Sequence, residues 1–128
     1  MSVVVLLDNE AVSVLLPGRR LDPKRRHLLA RLEEADAVLV PTVVRIEANA
    51  PSTSTNADLG RLTRDTHLPD VHADDAIAVR AAVPTASVVD ATLAAIANLV
   101  TADRVEVVTS DLPDLSAATA ATVHVHHL

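Results

Sequence analysis

No Phe, Tyr or Trp occurs in the 128 residues, although hydrophobic residues make up 49% of the chain. The core must therefore be assembled from Val, Leu, Ile and Ala, which bury less area per residue than aromatic rings do. Such side chains fill space in close-packed layers, so the composition predicts β-branched strands covered by Ala- and Leu-rich helices. The length suits one domain over residues 1–128 and is too short for two cores.

Apolar runs and helical patterns alternate along the chain. Ser2 to Leu7, Ala37 to Val40, Val105 to Val108 and Thr122 to Val125 read as short strands. Helices are expected over Glu10 to Leu16, Pro23 to Glu34 (with Asp22 as N-cap), Val43 to Ala50, Asp74 to Val83, Ser87 to Val100 and Pro113 to Ala121. Asp58 to Arg64 reads as a helical stub and His67 to Val71 as a short strand, either side of a polar stretch at Pro51 to Asn56. This alternation predicts an α/β fold, a parallel sheet with helices on both faces.

Four carboxylates stand at the ends of apolar segments. Asp8 closes Val3-Val4-Val5-Leu6-Leu7, and Asp111 follows Val107-Val108-Thr109-Ser110. Glu47 lies in Val43-Val44-Arg45-Ile46-Glu47-Ala48, and Asp90 in Val88-Val89-Asp90-Ala91. Ligands of parallel sheets gather beyond the carboxyl ends of the strands, where all four could project. Crowded carboxylates repel, and a hard divalent cation relieves the repulsion. Each Asp also has a plain structural reading as a helix N-cap, with Ser87-x-x-Asp90 in capping-box form and Asp114 adding favourable charge to a helix start. Arg45 could pair with an acidic residue or touch phosphate. His124-Val125-His126-His127 reads as an exposed terminal strand rather than a metal site, there being no acidic or Cys companion nearby in sequence.

The net charge of −6 gives nucleic acid no general attraction. Six of the eleven basic residues nevertheless cluster as Arg19, Arg20, Lys24, Arg25, Arg26 and Arg31, either a solvated helix face or a phosphate-contacting rim. The absence of Cys excludes disulfides and thiolate metal sites and is compatible with a reducing cytosol. With only Gly18 and Gly60 present, no Gly-rich phosphate loop exists. No apolar run approaches membrane-spanning length, and Asp8 interrupts the first one, so a cytoplasmic, soluble protein without signal peptide is expected.

In order and spacing, the strand ending in Asp8-Asn9, the segment from Val40-Pro41-Thr42 to Glu47-Ala48, Val88-Val89-Asp90-Ala91 and Val107-Val108-Thr109-Ser110-Asp111 resemble PIN-domain ribonucleases of the VapC type, toxins of type II toxin–antitoxin pairs. The resemblance covers nearly the whole chain. It implies a three-layer α/β/α sandwich around a mostly parallel sheet of about five strands, and a Mg²⁺- or Mn²⁺-dependent endoribonuclease. It implies that Asp8, Asp90 and Asp111 carry the metal, that Glu47 helps place a metal or its water, and that Asn9, Thr109 and Ser110 support the site. An RNA substrate, a small antitoxin and a homodimer are the implied partners. The sequence departs from the family at Leu112, where Pro usually follows the last aspartate, and in lacking aromatics on which bases could stack. With the acidic net charge, these departures motivate the alternative of a PIN-fold module that binds without cutting.

Overall fold

Val3–Leu7 forms the central strand (β1) because its unbroken aliphatic run can be covered on both faces. The computed structural model of the protein describes residues 1–16, 23–50, 63–64 and 70–128, with the backbone alone described at 63–64 and 70–72. Ala37–Leu39 (β2) lies on one side of β1, Arg104–Thr109 (β3) on the other, and Val123–His127 (β4) beyond β3. Every pairing is parallel, with Leu6 opposite both Leu39 and Val107. The two-residue segment Thr63–Arg64 pairs, also in parallel, along the free edge of β2.

Among the described residues, six helices accompany these strands: Asn9–Leu15 (α1), Pro23–Glu33 (α2), Thr42–Glu47 (α3), Asp70–Ala82 (α4), Val88–Leu99 (α5) and Leu112–Ala118 (α6). The strand period of two divides their work. Val5, Leu7, Val38 and Val108 pack with Val12, Leu15, Leu28, Leu32 and Val44 of α1, α2 and α3. Leu6, Val105, Val107 and Val123 turn to the opposite face and meet Leu93, Ile96 and Ala97 of α5 and Leu115 of α6. The core is thus two aliphatic layers, one on each side of the sheet. Outside the second layer, α4 packs on α5 through Ala76, Ala91 and Ala95, where small side chains allow close approach.

Several expectations change in the folded chain. Within the stub expected at 58–64, Thr63–Arg64 is extended, because pairing with the edge of β2 outweighs weak helical propensity. Residues 58–62 lie outside the described set. The strand expected at 67–71 gives way to helix from Asp70 onward, the alanine-rich stretch to Ala82 prevailing over one Val; residues 67–69 are outside the described set. So are Asp22, Arg19 and Arg20. The helix expected to reach Ala50 ends at Glu47, and Asn49 takes a left-handed φ of 54° as the chain leaves it. The last helix ends at Ala118, and the last strand runs on to His127.

The expected basic patch is divided by what its members touch. Arg25 donates from Nη1 to the carbonyls of Val14 and Leu16 at 3.1 and 3.3 Å, satisfying groups left open at the end of α1. Arg31 reaches Glu106, whereas Lys24 and Arg26 face solvent. No helix among the described residues is long and apolar enough to cross a membrane.

Leu93 is fully buried at the centre of the second layer. Truncation to Ala removes aliphatic contacts that no ring nearby can re-form. Urea unfolding of Leu93→Ala should show a loss of about 2–5 kcal/mol; a loss below about 1 kcal/mol would mean that this layer collapses around the cavity.

Candidate active site at the carboxyl edge of the sheet

Asp8 continues the parity of Val4 and Leu6, so its side chain leaves β1 on the α5 face. Its N–H donates to the Val108 carbonyl at 3.0 Å, one step past the Leu7–Val108 pair that ends the ladder between β1 and β3. Register then brings Asp8 beside Thr109. The Thr109 hydroxyl, wholly buried, donates to Asp8 Oδ2 at 2.5 Å and accepts from the Asp111 N–H at 2.9 Å. One side chain therefore ties the ends of the two central strands together.

The capping readings are partly realised. Asp8 is the N-cap of α1, with Oδ1 accepting from the Asn9 N–H at 2.6 Å. Ser87 is the N-cap of α5, with Oγ accepting from the Asp90 N–H at 3.0 Å. Asp111 stands at the N-cap position of α6 but makes no side-chain capping bond. Its carboxylate meets Asp90 instead.

Asp8, Glu47, Asp90 and Asp111 all line one cavity of about 420 Å³, together with Asn9, Ser110 and Asp114. A tighter group within it consists of Asp90, Asp111 and Asp114, each offering an oxygen within 4.8 Å of the others'. Asp8 stands outside that group, its two oxygens engaged by Thr109 and the Asn9 backbone. Glu47 is solvent-exposed on the cavity wall at the end of α3. Arg45 is not on this cavity; its Nε donates to the Ala50 carbonyl at 3.1 Å, and it lines a separate apolar hollow with Ile46 and Asn49.

Asp114 is the member that sequence reading passes over. It lies three positions after Asp111, so the opening turn of α6 sets both on one face. That spacing was the available signal, obscured because an Asp in the first turn of a helix is already explained by the dipole. Thr85 donates its hydroxyl to Asp114 Oδ1 at 2.9 Å and helps fix it.

Electrostatics mark the same place. Burial raises the Asp8 carboxyl above its usual range; hydrogen bonds from Thr109 and Asn9 oppose the rise, while the charges of Asp111 and Glu10 add to it. Burial, the hydrogen bond with Asp111 and the charges of Asp8 and Asp111 push Asp90 up to about 7, against a smaller opposing effect of Ser87. Near neutral pH Asp90 thus stands between its protonated and ionised forms. A divalent cation would satisfy the same negative charge. Hard carboxylate oxygens with no thiolate or imidazole among them suit Mg²⁺ or Mn²⁺ in kind.

Neither a known protein family, nor a curated protein, nor a solved structure matches this chain.

The raised Asp90 value fixes the sign of a pH effect. In the unfolded chain an Asp titrates near 3.9, roughly, so between there and about 7 the native state holds a proton that the unfolded state has released. This group's contribution is most favourable below that window and declines as pH rises through it. In EDTA, Asp90→Asn should flatten the fall in stability between roughly pH 4 and 7, with a gain at pH 8 of about 1–3 kcal/mol. Urea titrations across that range check it, and parallel curves for variant and parent would refute it.

Proposed function

We propose that the chain is a Mg²⁺- or Mn²⁺-dependent endoribonuclease of the PIN type, acting as the toxin of a VapC-like toxin–antitoxin pair. The observation that carries this reading is the convergence of acidic side chains from β1, α3, α5 and α6 on one cavity, with Asp90, Asp111 and Asp114 close enough to share an ion. The sequence resemblance supplies the reaction class; the cavity supplies a place for it. On this reading the architecture is the full three-layer sandwich, with Thr63–Arg64 as a rudimentary fifth strand, and the RNA, a small antitoxin, a second copy of the chain and a cytoplasmic setting follow from the likeness.

Asp90, Asp111 and Asp114 would hold the cation. When bound, it supplies Lewis-acid polarisation and a shield for the phosphodiester charge, which an otherwise acidic cavity repels. The chain's own residues do the rest. Thr109 joins the strand ends that carry Asp8 and Asp111, so these two are held together before any ligand arrives. Asp8 stands beside the ion-binding group with its oxygens oriented by two donors. Asp90, poised near neutrality, can release its proton when a cation enters. Asn9 and Ser110 place neutral polar groups on the wall, where they can bond a phosphate or ribose oxygen. Glu47, on the far wall, can orient a water.

A second reading is a binding module on the same fold. One observation favours it: among the described residues, no Lys or Arg lines the acidic cavity, so these residues offer backbone phosphates no cationic partner there except an added ion. Calorimetry separates the two, since a module without a metal site gives no Mg²⁺-dependent heat.

A labelled RNA incubated with the protein should be cut in Mg²⁺ or Mn²⁺ and left intact in EDTA. Asp8→Asn and Asp111→Asn should each lower the rate by at least about a hundredfold, or about 2.7 kcal/mol of transition-state stabilisation. Undiminished cleavage by Asp8→Asn, or cleavage indifferent to EDTA, would overturn the assignment.

A further inference from the structure

At the amino end of the sheet, away from the acidic cavity, lies a second cavity of about 570 Å³, lined by Met1, Val3, His27, Arg31, Arg104 and Glu106 among others. Glu106 is a charged residue in the middle of a buried strand, only 6% exposed. Its Oε1 accepts from Arg31 Nη1 at 3.0 Å, Arg104 Nε at 3.1 Å and His126 Nε2 at 2.9 Å. Three donors converge on one oxygen. Among the described residues, no donor reaches the other oxygen, Oε2.

That imbalance needs an occupant. A buried carboxylate oxygen is costly without a donor. The two guanidiniums carry the complementary deficit, because each uses one N–H on Oε1 and has further donors with no protein acceptor described. An acceptor oxygen therefore lies beside two cationic forks on the wall of one cavity. Glu106 cannot itself donate: burial pushes its carboxyl up, but the Arg104 hydrogen bond and the charges of Arg31, His126 and Arg104 outweigh burial and hold it below the usual range. His126 is held down by burial and by Arg31, against the pull of Glu106, and because the facing carboxylate can only accept, its Nε2 carries a proton. The matching ligand presents two acceptor oxygens flanking one O–H.

We propose that this cavity binds hydrogen phosphate, either free or as the singly protonated head of a small phosphate monoester, with its P–OH donating to Glu106 Oε2 and its P–O oxygens accepting from Arg31 and Arg104. The cavity is larger than one phosphate, and Met1, Val3 and Ala30 give the remainder an apolar wall for the body of a monoester. Glu34 and His27 stand at the rim, and the acidic Glu34 there disfavours ligands of higher charge. The proposal is independent of the nuclease reading.

Sulfate is the discriminating probe, because it has the shape and acceptors of phosphate but carries no O–H near neutrality. Calorimetry on the full chain in EDTA at pH 6, where a monoester is about half protonated, should show inorganic phosphate binding at least about tenfold tighter than sulfate. Glycerol phosphate run alongside tells the sources apart: binding as tight as inorganic phosphate assigns the site to monoesters, and weaker binding assigns it to free phosphate. Glu106→Gln, whose amide donates where the carboxylate accepted, should erase the preference by admitting sulfate. Arg104→Gln should weaken phosphate by about tenfold or more. Circular dichroism checks that each variant folds; should Glu106→Gln not fold, the phosphate–sulfate ratio of the parent and the Arg104→Gln loss decide. Equal affinities for the two anions, or no heat with either, overturn the proposal and leave Oε2 to water.

Discussion

Burying carboxylates at the rim of an aliphatic core is the constraint on which the site depends. Asp8 and Asp90 are almost inaccessible, and among the described residues no cationic side chain lines their cavity. A charge in such a place must be neutralised by a proton, a cation or directed hydrogen bonds. All three means are in view. Thr109 and the Asn9 amide serve Asp8, a proton near neutrality serves Asp90, and the oxygens of Asp90, Asp111 and Asp114 leave a gap that a small divalent ion can occupy.

The two ends of the sheet solve the problem of buried charge in opposite ways. At the carboxyl end, like charges are crowded and buried, which raises their proton affinity. At the amino end, Glu106 is surrounded by Arg31, Arg104 and His126, which lowers it. A crowded acidic pocket is poised to take up a cation, whereas a carboxylate already surrounded by guanidiniums is saturated with positive charge and lacks only a donor for its second oxygen. The opposite directions of the shifts follow from neighbours, since both places are buried.

Legibility differed between elements for identifiable reasons. The strands Val3–Leu7 and Arg104–Thr109 were readable because a run of Val and Leu has no other stable use in a chain without rings. Helix α5 was readable from its apolar spacing and its Ser87 cap. The edge pairing of Thr63–Arg64 was not, because two residues carry no periodicity and β2 selects them. His126 was misjudged as part of a solvent-facing strand: its acidic companion, Glu106, is distant in sequence and becomes adjacent through the parallel pairing of β3 and β4. The bond by which Arg45 Nε closes the turn after α3 on the Ala50 carbonyl was equally illegible, because it depends on how the chain leaves the helix.

By itself, the sequence determined the alternation of strand and helix, the aliphatic character of both core layers and the placing of acids at segment ends, since these follow from local composition and period. Only the tertiary structure decided which acids stand within reach of one another. It set Asp114 with Asp90 and Asp111, drew Asp8 aside to Thr109, and left Glu47 on the exposed wall. The reason is geometric: the distance between carboxylates on separate segments depends on strand register and on the direction in which α6 leaves the sheet, and neither is written in any one segment.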